Sequence, residues 1–191
     1  VNFDKILDFS YSPDGRMFLF SAIQKGQTDL FTYTLSSSSY EQLTNDYYTD
    51  LHPRFFGGTG KILFSSNRSS DTLRFRKIED FDLGSVQSRL DLFMYDYKTK
   101  NNLLKRVTQT PTADENSPEE LSGGMFTFLS DQNGIINRYY ARLDSAITYI
   151  DTITHYRYFT GYFPVTNYAR NILEQNVNPH SGQYGEIIYK D

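Results

Sequence analysis

Ser10-Tyr11-Ser12-Pro13-Asp14-Gly15-Arg16, followed by Met17-Phe18-Leu19-Phe20-Ser21-Ala22, is the stretch on which the fold turns. It reads as a turn followed by a strand. Proline presets φ at the first corner, aspartate can hydrogen-bond its own backbone, and glycine accepts the φ > 0 position. The next six residues are mostly apolar and aromatic, the composition of a buried strand.

Outward from this stretch, Ile6 to Tyr11 reads as the strand before the turn. Gln24-Lys25-Gly26-Gln27 is a polar turn, and Asp29 to Leu35 alternates as a third strand. Four serines, Ser36 to Ser39, lead to a fourth strand, Tyr40-Glu41-Gln42-Leu43-Thr44. Four short strands joined by tight turns make an antiparallel meander.

The cycle then restarts. Asp50 to Phe55, Gly57-Gly58-Thr59-Gly60 and Lys61 to Ser66 repeat strand, turn and strand. Asp91 to Tyr97 matches Asp29 to Leu35, and Leu103 to Thr108 matches Tyr40 to Thr44, closing Thr included. An insertion, roughly Ser69 to Arg89, separates the second and third strands. A weaker third cycle runs through Glu115 to Leu121, Gly123-Gly124, Met125 to Ser130 and Asn137 to Leu143. Its fourth strand is expected within Thr152 to Thr160. Ala169 to Gln175, Asn178-Pro179-His180-Ser181-Gly182 and Tyr184 to Lys190 give the inner half of a fourth cycle.

The turn glycines set the period. Gly15 to Gly60 is 45 residues, Gly60 to Gly124 is 64 and Gly124 to Gly182 is 58. Without an insertion of about 20 residues the second interval matches the first. A four-stranded repeat of about 40–45 residues is the signature of a β-propeller blade. A β-sandwich is the rival, but matches at turn, third strand and closing Thr favour repeats. The expected fold is therefore all-β: a β-propeller fragment of about three and a half four-stranded blades. It forms a single partial domain over 1–191, with blades at 6–44, 50–108, 115–160 and 169–191, the last incomplete.

The repeat resembles the blade of TolB-like propellers: Ser-Pro-Asp-Gly-Arg, an apolar strand, Asp29-Leu30-Phe31-Thr32-Tyr33, then Glu41-Gln42-Leu43-Thr44-Asn45. Phe64-Ser65-Ser66-Asn67-Arg68 is similar to that family's strand end. The likeness is strong over residues 6–108 and fainter beyond. It implies a periplasmic or cell-envelope protein that binds partner proteins, with related propellers often fused to peptidases. The third cycle lacks the Pro-Asp pair, so the resemblance speaks to fold more than to role.

Composition narrows the function classes. At 38% hydrophobic and 22% charged residues, the chain is globular. A formal net charge of −4 gives no drive toward nucleic acid. Without Cys, disulfides, thiolate metal sites and a Cys nucleophile are excluded. No apolar run approaches the ~20 residues of a membrane span. The start at Val1-Asn2-Phe3-Asp4, with no initiator Met and no signal peptide, reads as a piece of a longer protein.

Catalytic constellations are hard to place. His52, His155 and His180 are scattered, with no His-Glu-x-x-His and no Gly-x-Ser-x-Gly. Asp80-Phe81-Asp82-Leu83-Gly84-Ser85 slightly resembles a calcium loop but lacks a third oxygen ligand and the later bidentate Glu. The expectation is a non-enzymatic scaffold with no cofactor and no metal.

Recognition is expected on the face that carries the insertion and the interblade loops, opposite the Ser-Pro-Asp-Gly turn. The partner-binding candidates are Tyr47 and Tyr48, the basic-aromatic run Arg74-Phe75-Arg76, and Tyr156-Arg157. Tyrosine and arginine are favoured interface anchors. The partner is expected to be a protein or peptide, not nucleic acid, with no membrane insertion. Open blade edges predict self-association. The competing function is an accessory propeller of an envelope peptidase or hydrolase. A sugar-binding propeller rests only on the abundant tyrosine.

Overall fold

The computed structural model of the chain describes residues 2–73, 84, 86–178 and 181–190, with the backbone alone at 156–158. Among the described residues, fourteen strands follow one another: β1 (Lys5–Tyr11), β2 (Met17–Gln24), β3 (Gln27–Thr34), β4 (Ser39–Gln42), β5 (Asp50–Phe56), β6 (Lys61–Ser66), β7 (Asp91–Asp96), β8 (Lys105–Arg106), β9 (Glu115–Glu120), β10 (Met125–Ser130), β11 (Asn137–Ile150), β12 (Thr154–Pro164), β13 (Ile172–Asn178) and β14 (Gln183–Ile188). They form three four-stranded antiparallel meanders, β1-β2-β3-β4, β5-β6-β7-β8 and β9-β10-β11-β12, and a two-stranded sheet, β13-β14. The architecture is an all-β propeller, and these sheets are blades 1 to 4.

The alternation of strands explains how the blades stack. Successive side chains point to opposite faces. In β6, Ile62 and Phe64 join Leu19, Leu30 and Leu43 of blade 1, together with Phe55, Phe93 and Tyr95. Leu63 between them points the other way, joining Leu92, Met94 and Val107 against Phe126, Phe128 and Tyr139 of blade 3. Blade 2 is buried on both faces. That is why its middle strands, β6 and β7, read as apolar runs (Ile62–Phe64 and Leu92–Tyr95) rather than as a polar–apolar alternation.

The Ser-Pro-Asp-Gly turn is closed on itself. The Gly15 and Ser12 N–H groups donate to the Ser12 and Met17 carbonyls, both at 2.8 Å. The buried Ser12 hydroxyl donates to Asp14 Oδ1 at 2.6 Å and accepts from the Met17 N–H at 2.9 Å. The Ser12 hydroxyl and the Arg16 N–H hold the Asp14 carboxyl below its ordinary range. With its polar groups so engaged, the turn is a structural element.

Two elements differ from the sequence reading. The fourth strand of blade 3, expected within Thr152 to Thr160, is β12 and runs to Pro164. β11 continues to Ile150 although its last β10 partner is Arg142, so 143–150 pair only with β12 in a two-stranded arm. Composition hid this arm, because it carries no turn signal until Asp151. The insertion leaves the loop face beside Tyr48 and then turns along blade 2. Thr72 bridges Leu103, and the Leu73 N–H donates to the Asn102 carbonyl at 2.7 Å. Leu73 thereby enters the core between blades 1 and 2.

The period set by glycines also hides two kinds of position. Gly15 has φ +68°, with no heavy atom within 4 Å of an added Cβ, whereas Gly60 has no left-handed φ and meets an added Cβ only with the Gly57 carbonyl oxygen, at an ordinary contact distance of 3.9 Å. Gly15→Ala is therefore expected to cost about 1–2 kcal/mol, the penalty of a left-handed L-residue. Gly60→Ala should stay within about 0.5 kcal/mol. Urea unfolding of the two variants checks the contrast, and equal effects would show that the two turns are equivalent.

Candidate functional site

The interblade junctions carry most of the buried charge. In blade 1, Asp29 is the third residue of β3 and Thr44 lies two residues past β4. The Thr44 hydroxyl accepts the Leu30 N–H at 2.9 Å and donates to Asp29 Oδ1 at 3.3 Å. Asp29 also accepts from the Asp46 N–H and from the Gln42 amide. Blade 2 repeats the device. Thr108 accepts the Leu92 N–H at 2.8 Å, and Asp91 accepts from the Thr110 N–H and from Arg106. Blade 3 repeats it with an amide: Thr166 accepts the Arg138 N–H and donates to Asn137 Oδ1, which also takes the Tyr168 N–H. The closing Thr seen in the sequence thus extends the sheet by one side-chain rung.

At the junction of blades 1 and 2 the charges concentrate. Asp29, Asp46 and Asp50 are buried, with one oxygen of each within 4.8 Å of the others. Such a trio could hold a cation, and the chain provides its own. Arg68, with no exposed surface, donates to both Asp50 oxygens at 2.7 Å and to Asp46 at 3.3 Å. Its remaining donor, Nε, reaches the Ser66 hydroxyl, and the ring of Tyr48 lies 5.2 Å from its centre. The guanidinium thus supplies a counter-charge for two of the three carboxylates.

One guanidinium cannot neutralise three carboxylates. Burial, with the charges of Asp50 and Asp46, pushes the Asp29 carboxyl up to about 7. Burial and Asp50 raise Asp46 as well, against the pull of Arg68. At the next junction burial raises Glu115, which accepts from Thr108.

The inner strands β1, β5, β9 and β13, with β14, line a cavity of about 690 Å³, edged by Asp8, His52, Arg54, Ser117, Glu174 and Glu186. Arg54 ties three blades: it donates to Asp8 of β1 at 2.7 Å and to Glu119 of β9 at 2.8 Å. His52 and Ser117 both adopt φ near +50° immediately before Pro53 and Pro118, where the inner strands shift register. Burial lowers the His52 pKa.

Of the sequence candidates, Tyr47 and Tyr48 are half-buried in the loop between blades 1 and 2. Tyr48 packs over Arg68, and its hydroxyl lies 3.3 Å from Ser69 Oγ. Arg74, Phe75, Arg76, the Asp80–Asp82 loop, His180 and the side chains of Tyr156 and Arg157 lie outside the described residues. His155 meets Asp151 at 3.1 Å and stacks on Tyr149. The sequence reading missed the Asp–Thr clasp and Arg54. Asp29…Thr44 and Asp91…Thr108 were a visible recurrence, as were Pro53 and Pro118 three residues after Asp50 and Glu115.

This geometry is a propeller of the TolB-like kind. A TolB candidate from Agrobacterium tumefaciens superposes with a TM-score of 0.70 at 12% identity, covering 99% of this chain and 56% of that one. TolB from Acinetobacter baumannii gives 0.53 at 18% identity, over 72% and 29% of the two chains. A dipeptidyl aminopeptidase IV candidate from Bacteroides ovatus gives 0.52 at 10%, over 87% and 27%. By sequence, an uncharacterized protein of Agrobacterium fabrum, Atu1656, is 30% identical over 89 residues, 44% of this chain and 30% of its own. The chain thus spans less than a third of that curated relative. No family model matches the sequence.

The raised Asp29 pKa fixes the sign of a pH effect. The folded chain binds a proton that the unfolded chain, with its carboxyl near 3.8, releases. This contribution to stability is complete below the unfolded value and is lost as pH rises through about 7. Urea melts are expected to weaken from pH 5 to pH 8, by up to about 1.4 kcal/mol per pH unit while Asp29 alone differs. Asp29→Asn, which copies Asn137 of blade 3, should lessen that slope, leaving the part of the same sign that the raised Asp46 and Glu115 carboxyls contribute. Arg68→Ala, which leaves Asp46 and Asp50 without their counter-charge, is expected to cost about 3–5 kcal/mol at neutral pH. Stability that rises between pH 5 and pH 8 in the parent would contradict the assignment.

Proposed function

We propose that the chain is a non-enzymatic propeller scaffold of the bacterial envelope that recognises a protein or peptide on its loop face. The observation that carries this reading is a cleft of about 390 Å³ on that face, between blades 2 and 3. Thr49, Leu51, Asn67, Leu90, Asn116 and Ile136 line it. Apolar side chains beside amide, hydroxyl and carboxylate groups suit a peptide backbone with an apolar side chain. Arg89 rims the cleft, bridging Asp114 at 2.7 Å and Asp131 at 3.3 Å. Tyr47 and Tyr48 sit on the loop that delivers Thr49. Arg74, Phe75, Arg76, Tyr156 and Arg157 complete the proposed partner-binding set. The envelope location rests on the likeness to TolB structures.

A second reading follows from the likeness to the Bacteroides peptidase candidate: an accessory propeller that admits substrate to a catalytic domain elsewhere. Turnover of peptide substrates by the purified chain, or a hydrolase domain encoded beside it, would favour this reading.

The scaffold is also proposed to self-associate through blade 1 and blade 4, where Phe9, Tyr11, Tyr184 and Ile187 are more than half exposed. Light scattering at about 100 μM tests this, and a monodisperse monomer would overturn it.

The loop-face reading is tested by selecting peptides from a displayed library on the chain. Tyr47→Ala and Ile136→Arg are expected to weaken the selected peptides at least about tenfold, a loss of ~1.4 kcal/mol. The melting temperature should change little. Tyr48 is a poorer probe because it also covers Arg68. Selected peptides that bind both variants unchanged would sink the loop-face assignment.

A further inference from the structure

Each inner strand breaks its ladder once. The register shifts at Leu7 in β1, at His52-Pro53 in β5, at Ser117-Pro118 in β9 and at Leu173 in β13. A bulge re-aims the side chains around it. Leu7, His52, Ser117 and Leu173 all line the cavity of about 690 Å³ that the four strands share with β14. Four separate irregularities, two of them with φ near +50°, converge on one space.

Charge in and beside this space does not balance. Asp8, Glu119, Glu174 and Glu186 stand against two guanidiniums, Arg54 and Arg138. Burial lowers the His52 pKa, so the imidazole adds no positive charge at neutral pH. Arg54 meets Asp8 and Glu119, and Arg138 meets Glu186, which also takes the Tyr168 hydroxyl. Glu174 is left over. It holds in blade 4 the place that Asp8 holds in blade 1. Each follows the bulged leucine of its strand and pairs with the second strand of its blade, Asp8 with Ser21 and Glu174 with Ile187. Asp8 receives Arg54 at 2.7 Å, whereas Glu174 is exposed and, among the described residues, no hydrogen bond or ion pair reaches it.

We propose that this cavity binds an organic cation, an ammonium or guanidinium group on an aliphatic stem, with Glu174 as its counter-charge. The surroundings select that class. Leu7, Phe9, Leu173 and Ile187 line the same cavity, each more than a third exposed. An aliphatic stem covers such surface while its charged head stays paired. An anion would meet the surplus of carboxylates. A metal ion needs its ligands gathered, and among the described residues the one such trio within 4.8 Å is Asp29, Asp46 and Asp50, outside this cavity. The volume is in the usual range for small-ligand sites. The cation belongs either to a free diamine or to a lysine or arginine side chain of a partner. No residue that lines the loop-face cleft lines this cavity, so the inference is independent of that reading.

The probes are pentane-1,5-diamine and a blocked alanine–lysine–alanine peptide, titrated calorimetrically at pH 7.5. Pentane-1,5-diol and a blocked alanine–leucine–alanine peptide are their uncharged counterparts. At least one cation should bind: tighter diamine marks a free ligand, and tighter peptide marks a side chain of a partner. The uncharged compounds should not bind. Glu174→Gln should weaken the cation at least about tenfold. That side chain is exposed, so the variant should melt with the parent. Asp144→Asn on β11, which does not line the cavity, removes the same charge and should bind as the parent does. This separates a site from general attraction to an acidic chain. Amide signals of residues 173–176 and 185–187 should shift on binding. The proposal is overturned if neither cation binds, if the uncharged compounds bind equally, if Glu174→Gln has no effect, or if Asp144→Asn loses as much. It is also overturned if Ca²⁺ displaces the bound cation mole for mole. Phe9 and Ile187 also belong to the proposed self-association surface, so sedimentation accompanies the titration. Binding by the monomer supports the site, and binding by a dimer alone overturns it.

Discussion

Arg68 carries a full charge at a position with no contact to solvent, and the junction of blades 1 and 2 is arranged around that fact. An unpaired guanidinium there would cost several kcal/mol. Asp50 meets it with two oxygens, Asp46 with one, and the rings of Tyr48, Phe64 and Phe93 lie against it. Because Asp46 is in the connecting loop and Asp50 begins the inner strand, pairing them with Arg68 fixes where the second blade starts. The surplus negative charge falls on Asp29, which holds its proton into the neutral range. Stability at this joint is coupled to pH for a reason visible in the geometry.

The other joints solve the same problem with different chemistry. Blade 2 uses Asp91 and Arg106, whose guanidinium also lies 4.5 Å from the centre of the Phe93 ring. Blade 3 replaces the carboxylate by Asn137 and avoids the excess charge. On the axial side, Arg54 joins β1, β5 and β9 in one ion-paired row. Gln175 does comparable work between blades 3 and 4, donating to the Ser117 carbonyl and accepting from Arg138. Among the described residues, Arg54, Glu119 and Gln175 hold sheets to one another. That explains how perturbed carboxylates can occur in a chain for which a binding role is proposed.

The proposed binding falls to what the joints leave over. Two features escape the repeat: the cleft on the loop face and Glu174, which holds the place of Asp8 without its arginine. Both arise where one blade departs from its neighbours. The departures are local changes in loop contact and ion pairing on a scaffold whose inner architecture is held constant.

The sequence by itself determined the blade pattern. Turn chemistry at Ser12 to Gly15, two-residue alternation and the repeated closing Thr are local signals, and local backbone preferences act within a few residues. It also showed which segments repeat, including Asp29 with Asp91 and Thr44 with Thr108, without saying what they do. Tertiary structure alone decided that Arg68 meets Asp46 and Asp50 and that Arg54 reaches Asp8 and Glu119. Those partners are 18 to 65 residues apart, and no sequence period encodes their distance. It also decided that Leu73 folds back onto blade 2 and that β11 and β12 outrun their sheet. An edge is open or covered according to what lies beside it in space, and a strand's own residues do not record that.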